Sequence, residues 1–235
     1  MLICAARGPL IRRKALGPTP AFGAAGTLAA GDTEDLTPGF PSGIVAGQLL
    51  LLQVESTNLA GSPATPSGWT LQWDDQRNVG GGNEVRQWIY YKYATGSESG
   101  SLSVDFPSTG NKIAGIYRIT NPHPSSPFEG ATLVAGTNDP ITGPTLTPAG
   151  ANRLGLALIA VGDNQVAETV LAGANGGTWV GHIANPEPAG ADSAVFLNTV
   201  DLSGGGEISG GSFSPAMVTA ADWVLRGVLV KPSGA

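Results

Sequence analysis

Two runs of this sequence, LLLLQV at 49–54 and LGLALIAV at 154–161, constrain the fold more than any other feature. Neither alternates apolar with polar residues, so neither reads as a strand with one wet face. Neither has the length or the caps of a helix. Such runs suit central strands covered on both sides, or strands that face a partner. Each also opens the same series of elements. The first is followed by a Gly-Trp turn (SGWTL), a long strand (QWIYYKYA), a small-residue hairpin (TGSESGSLSVDF) and a closing strand (IAGIYRIT). The second is followed by GGTWVG, SAVFLNTVDL, SGGGEISGGSF and WVLRGVLV. The repeated order reads as two diverged copies, or as two halves of one sandwich built on one plan.

The rest of the chain agrees with an all-β reading. No window of about 12 residues or more carries a clean 3.6-residue period with caps. Strand patterns recur at 48–56, 70–74, 84–94, 101–106, 112–120, 153–161, 178–183, 194–202, 207–213 and 222–231, with shorter ones at 22–30 and 131–136. Clusters of Gly, Pro, Asn and Ser separate them. The 35 glycines and 18 prolines approach a disordered composition, but 41% hydrophobic residues argue for a buried core. A turn-rich β protein satisfies both. The expectation is an antiparallel β-sandwich or jelly roll over residues 21–235, with candidate halves 21–145 and 146–235, preceded by an extended arm at 1–20.

Alternation assigns faces within some strands. In IAGIYRIT, Ile113, Gly115, Tyr117 and Ile119 share one face, and Ala114, Ile116, Arg118 and Thr120 the other. In WVLRGVLVK, Arg226 and Lys231 read as solvent contacts. Trp88, Tyr90, Tyr91 and Tyr93 occupy the slot that Val195, Phe196, Leu197 and Val200 fill in the second half. That reads as bulk for a core or a subunit contact, since aromatics bury the most area per residue.

Charge is unevenly spread. Arg7, Arg12, Arg13 and Lys14 precede the first acid, Asp32, in a chain of net charge −6. A basic arm on an acidic body reads as a tether to an acidic surface. Four charges with no interleaved aromatics are a weak phosphate footprint, so nucleic acid is not expected as a partner. The apolar runs at 49–52 and 154–161 are far too short to span a bilayer as a helix, and no membrane partner is expected. The basic residues follow the first apolar ones, the wrong order for a secretory signal. Cys4 stands alone and reads as an incidental thiol.

Four stretches carry a resemblance: GIVAGQLLLLQVES, TPSGWTLQ, YYKYATGSESGSLSV and AGIYRIT. Over about residues 40–120 the chain resembles a recurrent kind of bacteriophage virion protein. Those proteins carry a strand after a small-Gly-Asp/Gln turn, a P-x-GW-T turn, an ATGSE hairpin and an alternating closing strand. Here these fall at Ala46–Gln48, Pro66–Thr70, Tyr91–Gly100 and Ala114–Ile119. The resemblance implies a β-sandwich on a phage particle. The motifs maintain a fold and bring no chemistry, and the basic arm departs from the pattern.

Few residues point to catalytic or metal chemistry. His123 lies between prolines and His182 on a strand, with no G-x-S-x-G elbow, so no Ser-His-Asp triad is expected. One Cys and two distant His do not make a zinc site. Asp74 and Asp75 are adjacent and point to opposite faces, unlike a glycosidase pair. Asn138-Asp139, Asp163-Asn164 and Asp192 are oxygen-rich but lack calcium-loop spacing. No enzyme, cofactor or metal is expected.

The first functional expectation is a structural virion protein at the particle surface, a capsid decoration or cement subunit. Its partners are other virion proteins, major capsid or tail, and copies of itself. Its contact segment is the arm: Ile3, Leu10, Ile11 and Leu16 fill grooves, and Arg7, Arg12, Arg13 and Lys14 pair with acids. Pro9, Pro18 and Pro20 hold it extended. The alternative is a tail-fibre or receptor-binding adhesin for host glycan. It would stack sugars on Trp69, Trp73, Trp88 or Tyr93, with Asp74, Asp75 or Asn83 as polar hooks.

Overall fold

A computed structural model describes residues 17–32, 35–57, 61–78, 84–137, 140–162, 170–186, 193–213 and 221–235. These contain strands and no helix. The first eight strands are β1 (Ala21–Ala25), β2 (Ala29–Gly31), β3 (Asp35–Leu36), β4 (Leu49–Ser56), β5 (Thr70–Arg77), β6 (Val85–Tyr93), β7 (Val104–Asp105) and β8 (Lys112–Thr120). The next eight are β9 (Phe128–Thr137), β10 (Ile141–Thr142), β11 (Arg153–Val161), β12 (Ala172–Asn175), β13 (Val180–Pro186), β14 (Ala194–Leu202), β15 (Ser209–Phe213) and β16 (Asp222–Val230).

The two apolar runs become β4 and β11, and every residue of each is buried. Each is the middle strand of a large antiparallel sheet. One sheet has the order β1-β8-β4-β6-β5, with β2 also on β8. The other has the order β9-β16-β11-β14-β13. The two orders correspond strand for strand along the chain. A bulge strengthens the match: β5 slips its register between Leu71 and Trp73, and β13 slips between Gly181 and Ile183. Both slips fall just after a buried tryptophan, Trp69 or Trp179. The sheet-based division falls between Thr120 and Phe128, because β9 already pairs with β16.

Burial on both faces follows from stacking. The large sheets meet face to face over Leu49, Leu51, Ile89 and Tyr117 on one side and Leu156, Leu158, Leu197 and Val228 on the other. The outer face of the first sheet is covered with Leu36, Val104 and Phe106 over Leu50, Leu52, Trp88 and Tyr90. The outer face of the second packs Phe196, Trp223 and Leu225 with Ile141, Leu146, Leu171 and Ile208. Here the small sheet β10-β15-β12 lies nearby in sequence and supplies Ile141. The molecule is thus layered, with two large sheets inside and small sheets and loops outside.

The P-x-GW turn has a backbone cause. Trp69 N–H donates to Pro66 O at 3.1 Å, and Gly68 takes φ +79°. A residue with a Cβ is strained at that φ, whereas glycine is not. The turn aims Trp69 into the first core, where it is 6% exposed.

Arg226 corrects the expectation that it contacts solvent. It faces the seam between the large sheets, where its guanidinium pairs with Asp75 on β5 through Nη2 and through Nε at 3.0 Å. Their side chains are 12% and 3% exposed. An isolated polar residue in an apolar strand has two solutions, water or a buried counter-charge, and this one takes the second.

Candidate interaction surface

The expected contact segment, Ile3, Arg7, Leu10, Ile11, Arg12, Arg13, Lys14 and Leu16, lies outside the described residues. Its root is described. Gly17 N–H donates to Ser233 O at 2.7 Å, and Gly17 O accepts from Asn152 Nδ2 at 3.3 Å. Thr19 O accepts from Asn121 Nδ2 at 3.3 Å. From Ala21 the chain pairs along β8 as an edge strand. The segment is therefore held at three successive points before it enters the sheet.

Beside this root lies an apolar groove of about 260 Å³. Residues 19–22 form one wall, and Leu154, Val180, His182, Thr199 and Asp201 form the rest. The His182 ring stacks on Phe22 with centroids 3.8 Å apart, and its Nε2 is 2.7 Å from Thr199 Oγ1. Desolvation lowers the pKa of His182, favouring the neutral imidazole. Val180, at the rim, is 52% exposed.

No family model, curated protein or solved structure matches the chain. Its chemistry therefore has to be read from its own side chains.

The four rings expected to hold sugar do not form a platform. Trp88 is fully buried and Trp69 nearly so. Trp73 and Tyr93 are half-buried and pack on the seam cluster. Phe128 lies 5.0 Å from Trp73 and 5.3 Å from Tyr91, and Tyr91 lies 6.4 Å from Tyr93, between ring centroids. Tyr93 donates its hydroxyl to His123 O at 2.5 Å. Stacking on sugar needs rings in water on one surface, whereas Trp73 and Tyr93 pack tilted or edge-on against Phe128 and Tyr91. Of the proposed polar hooks, Asp74 pairs with Arg86 (Nε to Oδ1, 2.7 Å), Asp75 is buried on Arg226, and Asn83 lies outside the described residues.

The ATGSESG hairpin is a self-capped turn. Glu98 accepts from Thr95 N–H at 2.9 Å, Gly96 N–H at 3.0 Å and Lys92 Nζ at 2.9 Å. Burial alone would raise its pKa, but these donors bring it down to about 2. His123 plays a similar part, its Nδ1 accepting from Ser126 N–H at 3.2 Å. Among the described residues no three His, Cys, Asp or Glu side chains converge as a metal site. The loop positions 138–139, 163–164 and 192 lie outside the described residues.

The seam holds polar groups that the sequence did not single out. Gln53 donates to Gln87 Oε1 at 2.5 Å and to Ile159 O on the facing sheet at 2.9 Å, and it accepts from Tyr117 O–H at 2.9 Å. Glu55, two residues on, is fully buried with neither oxygen hydrogen-bonded. Desolvation raises its pKa well above the carboxylate range. The Ser193 hydroxyl opposes that shift without reaching hydrogen-bond geometry. On the same seam Arg77 Nε meets Asp222 Oδ1 at 3.2 Å, and Thr137 Oγ1 donates to that oxygen at 2.7 Å. These contacts join the halves, a structural role.

Proposed function

We propose that this chain is a structural protein of a bacteriophage particle, a capsid decoration or cement subunit that grips its neighbours through the basic N-terminal arm. The observation that carries the reading is the arm's root. A segment bearing Arg7, Arg12, Arg13 and Lys14 leaves an acidic body from a point held by Ser233, Asn152 and Asn121. A basic strap on a rigid anchor transmits load from an acidic neighbour into the sheet it continues. The phage-like motifs support the same reading. Pro66–Trp69 and the Glu98-capped hairpin are devices that maintain a fold, as expected of a protein whose work is cohesion. The polar groups spent on joining the two large sheets agree with that emphasis.

The test is the particle. Mass spectrometry of purified phage particles should find the chain, and cryo-electron microscopy should show it on the head shell with residues 1–16 between capsid subunits. Deleting residues 1–16 should release it from particles while its melting temperature holds. Absence from purified particles overturns the reading, as does full retention of the truncated chain. Density confined to a fibre or tail tip would move the chain to the tail.

A further inference from the structure

The duplication supplies an internal control for the groove beside the arm root. In the ladders, Tyr91 sits between Leu51 and Thr70, and Tyr93 sits opposite Leu49. In the second sheet, Thr199 sits between Leu156 and Val180, and Asp201 opposite Leu154. Thr199 and Asp201, and not Leu197 and Val200 as the sequence suggests, thus hold the positions of Tyr91 and Tyr93. In the first half Tyr91 packs on Phe128 and on Tyr93, and with Trp73 these rings fill the edge of the seam. In the second half the two small polar side chains leave the groove of about 260 Å³ open. The opening is therefore a local substitution within a repeated frame.

We propose that this groove receives the N-terminal arm of a second copy of the chain, with Leu10 and Ile11 against its apolar walls and Arg12, Arg13 and Lys14 beside Asp201. The proposal rests on the virion reading only in taking the arm to be adhesive. The walls at Phe22, Leu154 and Val180 call for aliphatic side chains, and the arm supplies them next to three cations. Asp201 is exposed at the groove and supplies the complementary charge. A copy's own arm is poorly placed to enter. Residues 19–22 are already one wall, Gly17 is held on both its N–H and its C=O, and Pro18 and Pro20 keep the root extended. Residues 1–16 reach about 50 Å when extended, enough to cross to a neighbour. Reciprocal exchange of two arms gives a closed two-fold pair.

Sedimentation velocity on the intact chain, over roughly two decades of concentration, tests this without any particle. The two proposals can therefore fail separately. The expected result is a concentration-dependent dimer. Leu10→Asp with Ile11→Asp should weaken it at least about tenfold. Thr199→Tyr with Asp201→Tyr, which restores the rings of the first half, should weaken it equally while keeping or raising the melting temperature. Should that pair of changes disturb folding, Val180→Lys sets a cation on the exposed rim facing the arm's own cations and should have the same effect. A monomer at every concentration overturns the proposal. So does a dimer indifferent to the arm changes, or one that needs the arm but ignores both groove variants.

Discussion

Glu55 offers the sharpest test of how the two halves are held together. Its carboxyl lies in the seam between the large sheets with neither oxygen hydrogen-bonded, and its ladder neighbours, Gln87 and Ile113, carry no charge. Burial therefore favours the protonated form. In the unfolded chain the same group ionises near the ordinary value of about 4.3. The folded state thus holds one more proton than the unfolded state between that value and the raised one. Glu55's contribution is fully present below the unfolded pKa and is lost as pH rises through the folded pKa. In that window the wild type should lose about 1.4 kcal/mol of stability per pH unit relative to Glu55→Gln, which cannot ionise. Glu55→Leu should go further and gain about 1–3 kcal/mol at neutral pH, because it removes a buried polar group that has no partner. Guanidinium unfolding curves of the three proteins from pH 5 to pH 9, compared as differences, measure both effects. Parallel pH profiles for wild type and Glu55→Gln would refute the reasoning and assign Glu55 a counter-charge. So would a marked loss of stability in Glu55→Leu.

Three further outcomes are expected. Asp75→Asn leaves Arg226 in the seam without its counter-charge and should cost about 3–5 kcal/mol, whereas Asp75→Leu with Arg226→Met should recover most of it; thermal melts compare them. Glu98→Gln should loosen the hairpin and cost about 1 kcal/mol, the scale of a capping carboxylate. Its folded pKa is depressed to about 2, so wild-type stability from this group is present above the unfolded carboxylate range and is lost as pH falls toward that value; acid titration of both proteins shows it. Trp69→Ala and Trp179→Ala should each cost about 3–5 kcal/mol if the halves are built alike, and an unchanged melting temperature for either would separate them.

Strands whose burial has a sequence pattern were legible. Residues 112–120, 153–161 and 194–202 emerge with both ends as expected, because a sustained apolar or alternating run bounded by Gly, Asn or Ser leaves little choice. The expected strand at 101–106 shrinks to Val104–Asp105, and β3, β10 and β12 left no signal. Two to four residues are too few to carry a period, and their place is set by the core they cover. Arg226 was misread because its partner Asp75 lies on another sheet, and sequence pattern carries no information about such a pairing. The expected arm rests on charge alone and lies outside the described residues. The groove left no signal, since Thr199 and Asp201 look like ordinary strand residues. They gain meaning only when the ladder register sets them against Tyr91 and Tyr93.

Among the described residues the cross-sheet ion pairs sit on one side of the stack. Arg226–Asp75 and Arg77–Asp222 both tie β5 to β16, near the β9 edge. The opposite edge, β1 over β13, is held by the Phe22–His182 stack beside the groove. The molecule is thus bound like a book, with a spine along β5 and β16 and a fore-edge at β1 and β13. Thermal breathing widens a book at its fore-edge. Amide exchange should run faster in β13 than in β5, and the edge that loosens first is the one beside the groove proposed for a neighbour's arm.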